Sequence, residues 1–217
     1  MSFRLPLASG VALVLLGLGI GVVTAISDSI ETVVAPRFAG PTMPEDLRAA
    51  NFTLTDQDGH RFDLASTRGR VVALTFIHSR CTSTCPVSLQ TIRGALDALQ
   101  DAGEVDVLAV TVDPEADTRR SVRRFLVDQR ADGFVRYLTG PRAAMKPIWK
   151  RYGIAPQGNK QEDHTAFVLL IDRAGLLRIG FPSQQMTPED LANDLRILLA
   201  EPQPSSRQAA SGIQPAG

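Results

Sequence analysis

A mixed β-sheet covered by helices on both faces is the fold class this sequence predicts. Three observations carry that prediction. Two nearly continuous apolar runs, residues 70–78 and 105–112, have the composition of strands buried on both sides. Each is followed by a segment whose apolar residues recur at helical spacing. The stretch 165–199 alternates as a hairpin and then turns helical.

Taken in order, Asn51-Phe52-Thr53-Leu54-Thr55 alternates, Asp58-Gly59 offers a hairpin turn, and Arg61-Phe62-Asp63-Leu64 alternates back. Arg70 to His78 is the first core strand. From Pro86 onward Val87, Leu89, Ile92, Leu96 and Leu99 mark one face of a helix. Proline at the first helical position loses no hydrogen bond, because that amide has no partner there. Val105 to Val112 is the second core strand. Asp117-Thr118 caps a helix with the stripe Val122, Phe125 and Leu126. Phe134 to Leu138 reads as a short strand. Ala143 to Tyr152 reads as a helix ended by Gly153, with Trp149 and Tyr152 in the core. Thr165 to Ile171 and Leu176 to Phe181 pair across Asp172-Arg173-Ala174-Gly175. Thr187-Pro188-Glu189-Asp190 caps a final helix through Leu199. This order is thioredoxin-like: a redox-type turn after the first core strand, an N-terminal hairpin, and an insertion before the closing hairpin.

The flanks differ in kind. Leu7 to Ile26 carries no charge and, at about 1.5 Å per residue, spans roughly the 30 Å of a bilayer's hydrocarbon core. Arg4 precedes the run while Asp28 and Glu31 follow it, which puts the N-terminus in the cytoplasm and the remainder outside. Residues 1–27 are expected to be a membrane anchor. A cleaved signal segment is the alternative, with Val23-Thr24-Ala25 as its small-residue site. No cysteine follows the run to make a lipoprotein. The domain is expected at a bacterial-type inner membrane, facing the periplasm, or free in the periplasm if the segment is cleaved. Residues 28–44, with Pro36, Pro41, Pro44 and Gly40, read as a linker, 45–201 as the folded domain, and 202–217 as a disordered tail.

Lys+Arg and Asp+Glu balance at 23 each, so no global basic field invites nucleic acid. Nor is there a repeat at solenoid period. The chemistry concentrates instead at Arg80-Cys81-Thr82-Ser83-Thr84-Cys85-Pro86, which holds both cysteines of the chain in a strand-to-helix turn. A helix N-terminus carries partial positive charge and free amides, which favour a thiolate. Two soft sulfurs side by side suit a disulfide or a soft metal, Cu(I) or Zn(II). Three intervening residues widen the turn relative to a thioredoxin's two and leave room for a metal. His164 stands at the mouth of the strand after the insertion, where a thioredoxin-like sheet normally has a cis-proline beside the dithiol. No proline occurs from Lys160 to Ile171. Cys81, Cys85 and His164 would then offer S2N ligation, which suits three-coordinate Cu(I).

On Cys81-x3-Cys85-Pro86, Val112-Asp113-Pro114-Glu115-x-Asp117-Thr118 and Asp163-His164-Thr165-Ala166-Phe167 with Ile171-Asp172, the chain resembles the SCO/SenC family. These are thioredoxin-like copper-binding proteins tied to cytochrome c oxidase assembly. The resemblance covers roughly Pro44 to Leu199. It implies that Cys81, Cys85 and His164 are copper ligands. It also implies that the protein delivers copper to the oxidase's binuclear site, or reduces that site's cysteines beforehand. Members commonly carry Thr-His before the first cysteine and an acidic residue between the two. Here Ser79-Arg80 and Thr82-Ser83-Thr84 occupy those places. Arg80 should lower a thiolate's pKa where an acidic neighbour would raise it.

Other residues have plainer readings. Asp113 either orients a loop or ligand near the dithiol or makes a turn before Pro114. His78 reads as a strand-end histidine packed on the sheet, with an extra ligand as the alternative. His60 reads as exposed. Arg119, Arg120, Arg123 and Arg124 read as a solvated face, with an acidic partner surface as the alternative. Met43, Met145 and Met186 are too scattered for a methionine copper site. Two functions result. The first is a membrane-tethered copper chaperone whose partner is the oxidase copper subunit or another acceptor. The second is a thiol–disulfide oxidoreductase using Cys81 and Cys85 on extracytoplasmic proteins. A thiol peroxidase is weaker, because Ile77 and Thr82 stand three before each cysteine where threonine would be needed.

Overall fold

Every residue of β3 (Val71–Ile77) is buried, and the way its side chains divide sets the layering. Val71, Ala73 and Ile77 enter one apolar cluster, while Val72, Leu74 and Phe76 enter another. Successive strand residues face opposite sides, so a strand covered on both must be apolar throughout. The computed structural model describes residues 37–154 and 167–203. Among these, β1 (Thr53–Asp56), β2 (Arg61–Asp63), β3, β4 (Val105–Thr111), β5 (Val135–Thr139), β6 (Phe167–Ile171) and β7 (Leu177–Pro182) form one sheet. Its order is β2-β1-β5-β4-β3-β6-β7. β3, β4 and β5 are parallel, and Val71 to Ile77 runs beside Val105 to Thr111. The other pairings are antiparallel.

Four α-helices cover the sheet among the described residues: α1 (Thr84–Asp97), α2 (Arg119–Asp128), α3 (Arg142–Arg151) and α4 (Pro188–Ala200). Leu89 and Ile92 of α1, Val122 and Phe125 of α2, and Leu191 and Leu195 of α4 pack on one face. Met145, Ile148 and Trp149 of α3 pack on the other, with Phe52 and Phe62 of the hairpin. This is the thioredoxin-like mixed sheet that the element order predicts. The hairpin turn falls at Asp58-Gly59, where Gly59 takes φ 93°, open to glycine at no steric cost. The Asp56 carboxylate accepts the Asp58 and His60 amides at 3.0 and 2.8 Å and fixes the turn.

Two details differ from the sequence reading. α1 starts at Thr84, two residues before Pro86, which still leaves the proline in the first turn where amides lack helical partners. The end of the segment read as a linker is packed. β7 is an edge strand with open backbone groups. Pro41 O accepts the Gly180 amide at 3.0 Å and the Met43 amide donates to Arg178 O at 2.8 Å. The Ala39 and Gly40 amides donate to the buried Asp194 carboxylate at 2.7 and 2.9 Å. A Cβ on Gly40 would lie 2.5 Å from the Phe181 ring, so only glycine fits this close approach. The Leu7–Ile26 run, residues 28–36 and residues 204–217 lie outside the described residues. Among the described residues no helix is long and apolar enough to cross a membrane.

Candidate metal centre

β3 and β4 run parallel, and the chain leaves the C-terminal end of β3 as His78-Ser79-Arg80-Cys81. The Cys81 amide donates to the His78 carbonyl at 3.1 Å and closes a turn. The Ser79 amide donates to the Asp117 carboxylate at 2.8 Å. That carboxylate, 5% exposed, also accepts the hydroxyls of Thr111 and Tyr137, the latter at 2.6 Å. A buried carboxylate needs such donors to offset lost hydration. Asp117 therefore ties the cysteine turn to β4 and β5. Burial, then the Asp117 charge, pushes the Tyr137 phenol well above its ordinary range, so it stays a donor.

α1 begins without the usual oxygen cap: the Ser83 side chain makes no capping bond and the first turn holds no acidic residue. The Cys81 sulfur stands in that place. It accepts the Cys85 amide at 3.3 Å and lies 3.7 Å from Thr84 Oγ1. The positive helix end that a carboxylate would otherwise occupy thus faces a sulfur.

Both cysteines are free thiols, Cys81 half-buried and Cys85 buried. A hydrogen bond from Cys85 is the main cause holding the Cys81 thiol well below the ordinary range. Burial opposes it, and His78 with the amides of Cys85 and Ser83 adds to it. Cys85 is pushed up, first by the Cys81 sulfur and then by burial. The hydrogen bond to Cys81 raises His78 against the effect of its burial. Arg80 is occupied elsewhere: its guanidinium pairs with Asp113, and its side chain is 65% exposed. The side chain that joins Cys85 in lowering Cys81 is therefore His78, by hydrogen bonding, rather than Arg80. Asp113 pairs with Arg80 and accepts the Ala116 amide at 3.4 Å, which fits the reading of a turn around Pro114.

The potential ligand atoms of His78, Cys81 and Cys85 all lie within 4.8 Å of one another. The structure thus brings the two predicted sulfurs together. His164 lies outside the described residues. His78 is a buried strand-end histidine, as expected, but its ring stands with the sulfurs. The sequence signal for this was the short spacing, three residues, across a turn. Asp117 was read as part of a cap. Thr118 alone caps α2, accepting the Ser121 amide at 3.2 Å. The four arginines of α2 are exposed; Arg123 pairs with Asp58 at 2.8 Å and Arg124 with Asp128 at 3.6 Å. Trp149 is core, its indole donating to Thr111 O at 2.9 Å. Asp56, Asp58 and His60 form a second close group, in which Asp56 is already engaged by turn amides.

Comparison with known proteins places the chain among copper-binding relatives. A SCO2-like protein of Rickettsia prowazekii is 28% identical over 134 residues, covering 57% of this chain and 64% of its own, slightly less than two thirds. The solved structure of Bradyrhizobium japonicum ScoI with copper bound is 30% identical, with a TM-score of 0.60 over 70% of this chain and 99% of that one. Yeast Sco1 with copper bound, at 20% identity, shares the fold with a TM-score of 0.64 over 77% of this chain and 99% of its own. The SCO1/SenC family model matches residues 41–200, and the chain belongs to that family.

Proposed function

We propose that this protein is a copper carrier. It binds one copper per chain through Cys81, Cys85 and His164 and passes it to an acceptor by ligand exchange. The observation that carries the reading is the gathering of two free sulfurs, with the His78 imidazole beside them, at one end of the sheet, with Cys81 reachable from solvent. His164 enters through the family resemblance. Paired thiolates with imidazole are soft donors suited to Cu(I). Kinship with ScoI, whose structure holds copper, supports the metal. The acceptor is the binuclear copper site of cytochrome c oxidase, which the protein loads or prepares. The domain acts outside the cytoplasm, fastened through the Leu7–Ile26 segment.

The full chain, purified under reducing conditions and titrated with Cu(I), should take up one equivalent. Cys81→Ser and Cys85→Ser should abolish uptake, and His164→Ala should weaken it strongly. Unchanged affinity in His164→Ala would remove that residue from the site. A second reading, thiol–disulfide exchange, draws on the contrast between a Cys81 thiolate and a Cys85 thiol. Full reductase activity in His164→Ala, together with no copper uptake by the wild type, would favour it.

A further inference from the structure

We infer that His78 is itself a copper ligand of this chain, forming with Cys81 and Cys85 a three-donor site contained within residues 78–85. The inference rests on the copper-carrier reading and adds a ligand to it. Its basis is placement. The turn closed by the Cys81 amide on the His78 carbonyl puts the ring and the first sulfur on the same side. The helix start then brings the second sulfur in, through the Cys85 amide bonded to Cys81 Sγ. All three donor atoms fall within 4.8 Å of one another. Two sulfurs bound to one metal at about 2.3 Å stand roughly 4 Å apart at trigonal angles, so a metal fits among them with little movement.

Its closeness to two sulfurs separates this from an ordinary packed histidine. His78 is 7% exposed and Cys85 2%, so both donors approach from the core side, while Cys81 is the half-open one. An ion placed there has an imidazole beneath it and solvent on the far side. The turn is also rigidly based, since the Ser79 amide is held by Asp117, itself anchored to β4 and β5. Pre-placed donors of this kind need little ordering on binding.

The test uses the full chain and Cu(I). In wild type, one equivalent should shift the His78 ring nitrogens in an imidazole-edited NMR spectrum, a measurement that needs no variant to fold. X-ray absorption on His164→Ala should still show two sulfurs and one imidazole nitrogen. In the His78→Gln/His164→Ala double variant, shown folded by near-ultraviolet circular dichroism, the imidazole signal should vanish. His78→Gln alone should lower Cu(I) affinity by at least the roughly tenfold that loss of a supporting group costs. A His78 ring unmoved by bound copper overturns the inference and leaves the carrier reading intact, with the histidine only a hydrogen-bond partner of Cys81. Failure of the wild type to bind Cu(I), or binding that survives in Cys81→Ser/Cys85→Ser, overturns both.

Discussion

Asp117 occupies a place where a helix cap reads naturally, yet its carboxylate turns inward to three donors on three parts of the chain. Removing it leaves the Ser79 amide and the Thr111 hydroxyl without an acceptor, and the Tyr137 hydroxyl with only the Ile77 carbonyl at 3.3 Å. Each orphaned group costs about 1–3 kcal/mol, so Asp117→Ala should lower the urea midpoint and loosen the cysteine turn. Asp117→Asn should recover only part of the loss, because its amide presents donors to donors. Cys81 gives a second residue-scale prediction. A thiol pKa below the ordinary range keeps the thiolate populated as pH falls. Iodoacetamide should therefore modify Cys81 near its plateau rate at about pH 6, where a free cysteine near 8.5 is almost unreactive. Cys85, shifted the other way and buried, should remain slow. A Cys81 rate that rises tenfold per pH unit between 6 and 8 would refute the assignment. At this scale the sulfurs were legible because two soft atoms four apart at a strand-to-helix turn have few other uses. His78 was legible only as the alternative, through its short spacing to Cys81, since an interior histidine looks the same in sequence whether its ring packs on the sheet or turns to the sulfurs. Asp117 was not legible, since a capping aspartate looks the same whichever way its side chain turns.

The two core strands and their helices were legible because burial on both faces forces unbroken apolar runs, as in Val71–Ile77, and because α2 and α4 carry capping threonines. Thr187 accepts the Asp190 amide at 3.1 Å, and Thr187→Ala should cost about 1 kcal/mol of unfolding free energy. Leu89, 1% exposed, fastens α1 to the sheet. Leu89→Ala should cost about 2–5 kcal/mol by denaturant titration, and because the same helix presents Cys85, it should also weaken Cu(I) retention. The packed end of the linker was less legible. Its prolines suit an extended tether, and extended chain is also what an edge strand accepts. Only β7's position at the sheet edge and the buried carboxylate of Asp194 decide between the two.

Across the whole domain, Asp194 joins the N-terminal approach of the chain to the last helix. Asp194→Ala should free the segment 37–44, detected as faster cleavage there in limited proteolysis with the remaining core intact; an unchanged cleavage pattern would show that the β7 contacts suffice. The approach runs antiparallel along β7, with Gly40 against Phe181, and β6 pairs Phe167 with Pro182 beside the end of β3. The chain therefore enters at the sheet end from which the cysteine turn emerges. Because one sulfur is open and its companion lies 2% exposed beneath the helix start, an acceptor's thiolate approaching copper held in the proposed carrier would reach the metal from the outer, Cys81 side. In that carrier the outer sulfur would be exchanged first, and the inner one would be the last to let go.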